Sequence, residues 1–297
     1  MGGYNADSEQ ANRRQILRGL AGVGAGAALF GTATGSAAAG KEGDCHEPSE
    51  DTPHLKTADH FDTTWYGSVY LTDGNDATNY DVEGTGFPWG GDELVLHVHG
   101  WQNDYECGVA NVESAQWAYD DLGYDAAVSG LAWGSDYAWW NAKEIAERTG
   151  PKLAYFLYVH DYYYPETTIR VHGHSLGARV LAETILQLND WGLTDVLDSA
   201  VFLAGAVIDE AVSMSGKFGP AIENAVGHAE NFWDADDSVL NWAFSTYEWS
   251  WAIGNNGCNG TPPANYTDHE VTGVVDAHYS EHYVNSDFLG NWVIPTF

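Results

Sequence analysis

A serine, Ser175, lies between two closely spaced glycines, Gly173 and Gly177, in the pattern Gly-x-Ser-x-Gly. An apolar run over 168–173 precedes it, and apolar residues at helical spacing follow over 176–188, which predicts a strand, a sharp turn and a helix. The glycines leave room for the strained serine backbone, and the turn aims the hydroxyl above the sheet, beside the positive end of the helix. This context predicts a nucleophile. The alternative is a structural glycine turn with a surface serine.

Strands and helices alternate along the chain from about residue 60 onward, with no linker or internal repeat. Apolar runs predict strands over 93–99, 125–133, 168–173, 199–205, 227–232 and 266–275, and helical spacing predicts helices over 110–122, 141–160, 176–188 and 283–293. This alternation predicts an α/β domain whose mostly parallel sheet is covered by helices on both faces. Such sheets bind ligands at the carboxyl ends of their strands, where Ser175 is expected to lie.

Around Ser175 the chain resembles the α/β-hydrolase superfamily, in its lipase and esterase branch. The resemblance rests on the Gly-x-Ser-x-Gly turn between a strand and a helix, on the His-Gly step at 99–100, and on the order of elements across most of 90–295. It implies the α/β-hydrolase fold and makes Ser175 a nucleophile that a histidine activates and an acid orients. The implied activity is hydrolysis of a carboxylic ester through an acyl-enzyme, with no cofactor.

The chain order of this family places the catalytic acid after the serine and after a later strand. The segment 231–240 meets this requirement and offers Asp234, Asp236 and Asp237. In related hydrolases the acid often stands two residues before the apolar residue that begins the next helix, which selects Asp237, with Asp234 as the alternative. Because aspartate is abundant in this chain, a solvated surface charge at either position is the competing interpretation.

The same chain order places the histidine last, in the loop after the final strand. His278 occupies that loop, from which its imidazole could reach over Ser175, and we choose it as the general base. His282, at the start of the closing helix, is the alternative.

The resemblance also implies an oxyanion hole, because attack by Ser175 puts negative charge on a carbonyl oxygen. One backbone N–H is expected from the residue after the nucleophile, Leu176, and another from the loop after an earlier strand. The segment His99-Gly100-Trp101-Gln102 is similar to that loop. Trp101 is therefore the expected second donor, and Gln102 is its competitor.

Four histidines near the predicted sheet edge raise the alternative of a metal-dependent hydrolase. His97 and His99 alternate on one strand, while His172 and His174 flank a glycine on another. Neutral imidazole is a common metal ligand, and side chains two residues apart on a strand share a face. His99 and His174 already occupy motif positions of the family, however, and no carboxylate motif accompanies them. We therefore expect no catalytic metal.

The composition excludes some partners. The chain has 297 residues, with 43 Asp and Glu against 11 Lys and Arg, for a formal net charge of -32. Such a surface repels nucleic acid and acidic membranes. The hydrophobic residues, 44% of the chain and including 13 Trp, are sufficient to form a core, which excludes general disorder. With only five Lys, the composition is typical of haloarchaeal proteins, whose self-repulsion is screened at molar salt.

The N-terminus predicts export. Arg13 and Arg14 precede a weakly apolar run from Gly19 to about Gly35, and Ala37-Ala38-Ala39 offers a small-residue cleavage site. This pattern resembles a twin-arginine signal peptide over 1–39. The run is too short, and its side chains are too small, for a stable membrane span. A retained helical anchor is the alternative. The mature protein is expected outside the cell.

The remaining chain is expected to form one folded unit. Its composition predicts a flexible acidic linker over 40–58 and a single hydrolase domain over 59–297. The three cysteines, Cys45, Cys107 and Cys258, allow one disulfide in an oxidising compartment, and the sequence leaves its pairing open.

Aromatic residues concentrate in three connecting segments, 133–140, 161–165 and 247–251. They predict an aromatic acyl pocket or a lid over the site, and ordinary core packing is the alternative. The expected substrate is a neutral small-molecule or lipid ester, and peptidase, thioesterase and polyester-depolymerase activities stay open on the same fold. A noncatalytic, envelope-associated binding protein is the remaining alternative.

Overall fold

The computed structural model describes residues 45–297, and the predicted signal peptide over 1–39 lies outside the described residues. The strands are His54–Lys56 (β1), Phe61–Thr63 (β2), Val69–Leu71 (β3), Asp81–Glu83 (β4), Glu93–Val98 (β5), Ala127–Ala132 (β6), Thr168–His174 (β7), Leu197–Leu203 (β8), Val226–Trp233 (β9) and Tyr266–Glu270 (β10). One sheet has the order β10-β9-β8-β7-β5-β6-β1-β4, and β2 pairs with β3 in a separate hairpin. The neighbours in the large sheet are parallel except for β1 with β4.

Helices connect most of these strands. They are Tyr105–Leu122 (α1), Trp139–Tyr163 (α2), Gly177–Trp191 (α3), Gly219–Ala225 (α4), Ser245–Glu248 (α5), Ile253–Asn256 (α6), Ser280–Tyr283 (α7) and Ser286–Phe288 (α8), with π-helical turns at Leu240–Phe244 and Leu289–Val293 and 3₁₀ turns at Asp209–Val212 and Ile294–Thr296. Within residues 45–297 no helix combines the length and the hydrophobicity that a membrane crossing requires.

The central strands are buried on both faces, which explains their continuous apolar sequences. In β5, which lies between β7 and β6, the side chains of Leu94, Val95, Leu96 and Val98 are almost fully buried. The chain leaves β5 for β6 on one side of it and then crosses through α2 to β7 on the other side. Open α/β sheets bind ligands at such a switch point, beside the loops that follow the two strands.

The structure confirms the predicted mostly parallel sheet with helices, because each strand and helix predicted up to residue 233 overlaps an observed one. The C-terminal elements differ. The strand predicted over 266–275 ends at Glu270, and the helix predicted over 283–293 is a series of short turns. Asn285 has an extended backbone, and its side chain accepts a hydrogen bond from Phe288 N. Such an N-cap starts a new turn and so interrupts a continuous helix.

The described part of the predicted flexible linker, residues 45–58, is instead integrated into the fold. Cys45 forms a disulfide with Cys107 in the first turn of α1, and Leu55 of β1 pairs with Leu131 of β6. Composition concealed this strand because it is only three residues long and its partners are distant in sequence. The disulfide resolves the pairing that the sequence left open, and Cys258 is a free cysteine.

Candidate active site

Ser175 lies in a sharp turn between β7 and α3. Its φ is 52°, in the left-handed region that non-glycine residues rarely adopt. A Cβ on Gly177 would lie 2.2 Å from the Val98 carbonyl oxygen, and one on Gly173 would lie 2.7 Å from Ala178 Cα. Both glycines of the motif are thus required sterically, as the sequence pattern predicted, and the turn holds the serine in a strained backbone conformation.

The side chains of Ser175, His278 and Asp237 form a hydrogen-bonded chain. His278 Nε2 lies 2.8 Å from Ser175 Oγ, and His278 Nδ1 lies 2.6 Å from Asp237 Oδ2. Because an ionised carboxylate only accepts hydrogen bonds, it selects the imidazole tautomer with the proton on Nδ1. Nε2 is then left to accept the Ser175 hydroxyl proton. All three side chains are buried, so little water competes for these bonds.

The structure distinguishes the two pairs of candidates that the sequence left open. Asp237 Oδ1 also accepts a bond from Leu240 N, which fixes the carboxylate at the start of the π-helical turn. Asp234 Oδ1 accepts from Asp236 N instead. Burial raises the pKa of the Asp234 carboxyl, and the nearby charge of Asp237 adds to this rise. His282 lies 3.8 Å from the exposed carboxylate of Glu281.

His174 supports the loop that carries the histidine, a role that the sequence did not reveal. Its Nε2 lies 2.7 Å from the backbone carbonyl oxygen of His278, and the two rings lie 5.3 Å apart. A His in the position before the motif serine is the only sequence signal of this contact. The hydrogen bond ties the loop after β10 to the end of β7.

Two of the three candidate oxyanion donors are available. Within the described chain, neither Trp101 N–H nor Leu176 N–H donates to a protein acceptor, whereas Gln102 N–H donates to Ser135 O at 3.2 Å. A Cβ on Gly100 would lie 3.0 Å from Ser175 Cβ, so this glycine lets the loop approach the serine closely. Among the described residues, the N–H groups of the predicted pair, Trp101 and Leu176, therefore have no backbone acceptor, whereas the N–H of Gln102 is engaged.

A small cavity of about 40 Å³ opens beside Ser175. Its apolar walls include Trp101, Trp139, Leu240 and Phe244, and Trp101 meets Trp139 edge to face at 5.1 Å. One predicted aromatic segment, 133–140, thus contributes Trp139 to the wall.

The other two aromatic segments differ in their relation to the cavity. Tyr247, from 247–251, stacks on Trp139 at 5.7 Å and so supports the wall. The tyrosines of 161–165 lie at the far end of α2, where they are exposed and line no part of the cavity.

The buried carboxylate of Glu248 connects its own segment, next to the cavity wall, to helices α2 and α3. Its oxygens accept hydrogen bonds from Trp139 Nε1 at 3.0 Å and Lys143 Nζ at 2.7 Å, and Arg179 lies 3.9 Å away. Arg179 in turn donates to Ala206 O, and Ala206 N donates to Ser175 O. Glu248 therefore connects the cavity wall to the turn that carries Ser175.

The other three histidines of the predicted sheet edge, His97, His99 and His172, are buried in the sheet. His99 Nδ1 lies 3.0 Å from Gly100 O, and Trp133 N–H donates to His99 Nε2. Burial lowers the pKa of His97 well below its ordinary value and lowers that of His172 to about 3. In the described part of the chain, the groups of three His, Cys, Asp or Glu side chains close enough to share a metal ion include none of these histidines.

One family model and several solved structures are similar to this chain. A family model described as an alpha/beta hydrolase of unknown function, DUF900, matches residues 90–237. No curated protein matches the chain. Among solved structures, the chain is similar to Est1E from Butyrivibrio proteoclasticus, with 13% identity, a TM-score of 0.38, and coverage of 66% of this chain and 84% of that one.

Two further solved structures are similar at the same low level. The Pyrococcus furiosus esterase Pf2001 has 14% identity and a TM-score of 0.39, and the match covers 70% of this chain and 81% of that one. YbtT, a type II thioesterase from the yersiniabactin biosynthetic pathway, has 13% identity and a TM-score of 0.36, with 70% and 93% covered.

The matched residues 90–237 include the loop after β5, the turn at Ser175 and the segment after β9. The sheet order places the first two of these side by side, on the adjacent strands β5 and β7. The chain therefore has the α/β-hydrolase fold, and its residues 90–237 match a family of alpha/beta hydrolases.

Proposed function

We propose that this protein is a secreted serine hydrolase that cleaves neutral carboxylic esters through an acyl-enzyme on Ser175. The hydrogen-bonded chain from Ser175 through His278 to Asp237 is the observation that carries the proposal. A nucleophile, a base that faces it and an acid that orients the base are the groups that acyl transfer requires. The two available N–H groups, on Trp101 and Leu176, supply the expected electrostatic stabilisation.

Acylation follows from this arrangement. Ser175 Oγ attacks the ester carbonyl carbon while His278 Nε2 takes the hydroxyl proton, and the Asp237 carboxylate stabilises the resulting imidazolium. The negative charge on the carbonyl oxygen accepts hydrogen bonds from the Trp101 and Leu176 N–H groups. The C–O bond to the alcohol then breaks, the alcohol leaves with the proton from His278, and the acyl group stays on Ser175.

Deacylation repeats the sequence with water as the nucleophile. His278 takes a proton from water, the hydroxide attacks the acyl carbon, and the carboxylic acid leaves as Ser175 regains its proton.

The apolar cavity beside Ser175 fits a short acyl group better than a bulky one, because drug-sized ligands occupy pockets of about 300 to 1,000 Å³. A thioester would react through the same steps.

The proposed place of action is the salty exterior of the cell. Arg13 and Arg14 support twin-arginine export, and the net charge of -32 supports folding at molar salt, where self-repulsion between carboxylates is screened.

The direct test of the proposal is covalent labelling with a fluorophosphonate, which reacts only with an activated serine. We expect one phosphonate per chain, and peptide mass spectrometry should locate it on the peptide that contains Ser175. Unfolding the protein before adding the reagent is the control and should abolish the labelling. An unlabelled chain that still hydrolyses p-nitrophenyl esters in a chelator-sensitive way would instead establish the metal-dependent alternative. An unlabelled chain without turnover would favour a binding protein.

The choice between Asp237 and Asp234 is tested by two matched amides. Asp237→Asn should lower kcat by about 10³ to 10⁴-fold, because an amide no longer selects the tautomer with Nε2 free to accept a proton. Asp234→Asn should lower kcat less than about tenfold, since its carboxylate bonds the local backbone. Steady-state kinetics on a p-nitrophenyl ester measures both. Equal losses in the two variants would refute the assignment of Asp237.

A further inference from the structure

Three short segments next to the cavity expose aromatic side chains to solvent. Trp65 is 94% exposed and Trp249 is 91% exposed, values that are unusual for a side chain that gains so much from burial. We call the five most exposed aromatic residues of these segments the aromatic rim: Trp65, Tyr66, Trp140, Trp242 and Trp249.

Direct contacts connect the rim segments to one another. Asn141 Nδ2 donates to Gly67 O at 2.6 Å, which ties the β2–β3 hairpin to the start of α2. The Trp140 ring meets Tyr247 at 6.2 Å, which brings the start of α2 next to α5. The rim is therefore one surface assembled from three segments that are distant in sequence.

The rim also continues into the cavity. Trp242 lies on the π-helical turn Leu240–Phe244, and three other side chains of the same turn, Leu240, Ala243 and Phe244, line the cavity. Likewise, Trp139 lines the cavity while its neighbour Trp140 is exposed. A surface that contacts the rim thus lies directly against the entrance to Ser175.

The rim segments themselves contain no charged residue, although exposed Asp62 and Asp136 border two of them and Lys143 Nζ lies 5.5 Å from the Trp140 ring. No Asp, Glu, Lys or Arg occurs in 63–72, 137–142 or 238–247, although 43 of the 297 residues are acidic. Between 238 and 256 the one charged residue is Glu248, whose side chain is 3% exposed and paired with Lys143. An uncharged surface of this kind fits an uncharged partner.

Two polar side chains beside Trp242, those of Asn241 and Thr246, are already hydrogen-bonded within the protein. Asn241 Nδ2 donates to Ala235 O, Asn241 Oδ1 accepts from Asn255 Nδ2, and Thr246 Oγ1 donates to Trp242 O. Sugar recognition needs free polar groups beside stacking aromatics, because each hydroxyl must find a partner. A lipid surface needs only amphipathic rings such as Trp and Tyr, which settle at the boundary between headgroups and acyl chains.

We propose that the aromatic rim docks the protein onto the surface of a neutral lipid assembly. The rings enter the interface. Because the rim segments are uncharged, contact through them keeps the carboxylates of the protein surface away from the lipid phosphates. Docking itself depends only on the rim, whereas delivery of an ester from that surface to Ser175 rests on the proposed function. The substrate class is then a water-insoluble neutral ester at an interface.

The test is vesicle flotation at molar salt with the full chain carrying Ser175→Ala, so that binding is measured without turnover. Phosphatidylcholine vesicles should carry this protein to the top of the gradient. Adding Trp65→Ser and Trp249→Ser together should reduce the bound fraction at least about tenfold, because two large apolar side chains no longer enter the interface. Trp242→Ser should reduce binding in the same direction. The matched control, Trp117→Ser, removes an exposed Trp of α1 outside the rim and should leave binding unchanged.

Several outcomes would overturn this proposal. One is the absence of vesicle binding, and another is equal binding by the rim variants and the Trp117 variant. Sedimentation with insoluble cellulose or xylan that requires Trp65 and Trp249, without vesicle binding, would assign the rim to polysaccharide instead. Each substituted tryptophan is exposed at the surface, so the unfolding midpoint of each variant should match that of the parent. Because flotation uses the Ser175→Ala chain, its result does not depend on whether Ser175 is catalytic.

Discussion

Ser175→Ala is expected to lower kcat/KM for a short-chain p-nitrophenyl ester by about 10⁵ to 10⁶-fold. The reason is that the hydroxyl is the group that bonds to the acyl carbon, and the turn at φ 52° holds it against His278 Nε2. A small residual rate should persist from the Trp101 and Leu176 N–H groups, which can still polarise a carbonyl toward water. Initial rates at molar salt, at high enzyme concentration, measure the loss.

Ser199→Ala is the matched control for this experiment. Ser199 is a fully buried serine on β8 whose hydroxyl has no hydrogen-bond partner among the described residues, so its removal should leave kcat/KM within about threefold. The unfolding midpoints of both variants should stay close to that of the parent. If Ser175→Ala retains more than a hundredth of the parent activity while Ser199→Ala retains all of it, the proposed nucleophile is wrong.

His278→Ala is expected to cost about as much as Ser175→Ala, again about 10⁵ to 10⁶-fold in kcat/KM, because residues that act as one unit lose their function together. Without the imidazole, nothing accepts the serine proton, and the buried Asp237 carboxylate keeps only the Leu240 N–H of its two donors. The double variant with Ser175→Ala should therefore be scarcely slower than either single variant. Kinetics on all three chains tests this non-additivity.

His282→Ala controls for the loss of any histidine near the C-terminus. Its ring is partly exposed and lies beside an exposed carboxylate, so kcat/KM should change by less than about threefold. Added imidazole should restore part of the activity of His278→Ala because the cavity left by the side chain lies next to Ser175. A large loss in His282→Ala with a small loss in His278→Ala would reverse the assignment.

The sequence predicts those residues of the site whose type or position is set by local constraints, such as backbone space or the end of a strand. Gly173 and Gly177 are identifiable from sequence because each must leave space for a neighbouring backbone, and only glycine meets this constraint. The positions of Asp237 and His278 after strands predict their roles, and in the structure Asp237 lies within hydrogen-bond distance of His278, which lies within hydrogen-bond distance of Ser175. Their alternatives, Asp234 and His282, have the same chemistry and nearly the same position, so only three-dimensional contacts separate them.

The features that escaped sequence reasoning depend on contacts between distant segments. Strand β1 has three residues and no apolar periodicity, and it is defined by its partners β6 and β4. Glu248 is one acidic residue among 43, and nothing local distinguishes the carboxylate that binds Trp139 and Lys143 from those that face solvent. Likewise, His174 looks like an ordinary motif residue until the loop of His278 packs on it.

The position of β1 in the sheet has a consequence for biosynthesis. This strand precedes β5 and β6 in the chain, yet it pairs with β6. A nascent chain can pair β1 with β4, but these two strands cannot join the large sheet until β6 has left the ribosome. During that interval the edge of β1 that later meets β6 is unpaired, and its short length limits the opportunity for pairing with other chains. A translational pause placed after β6 should then favour correct assembly of the sheet.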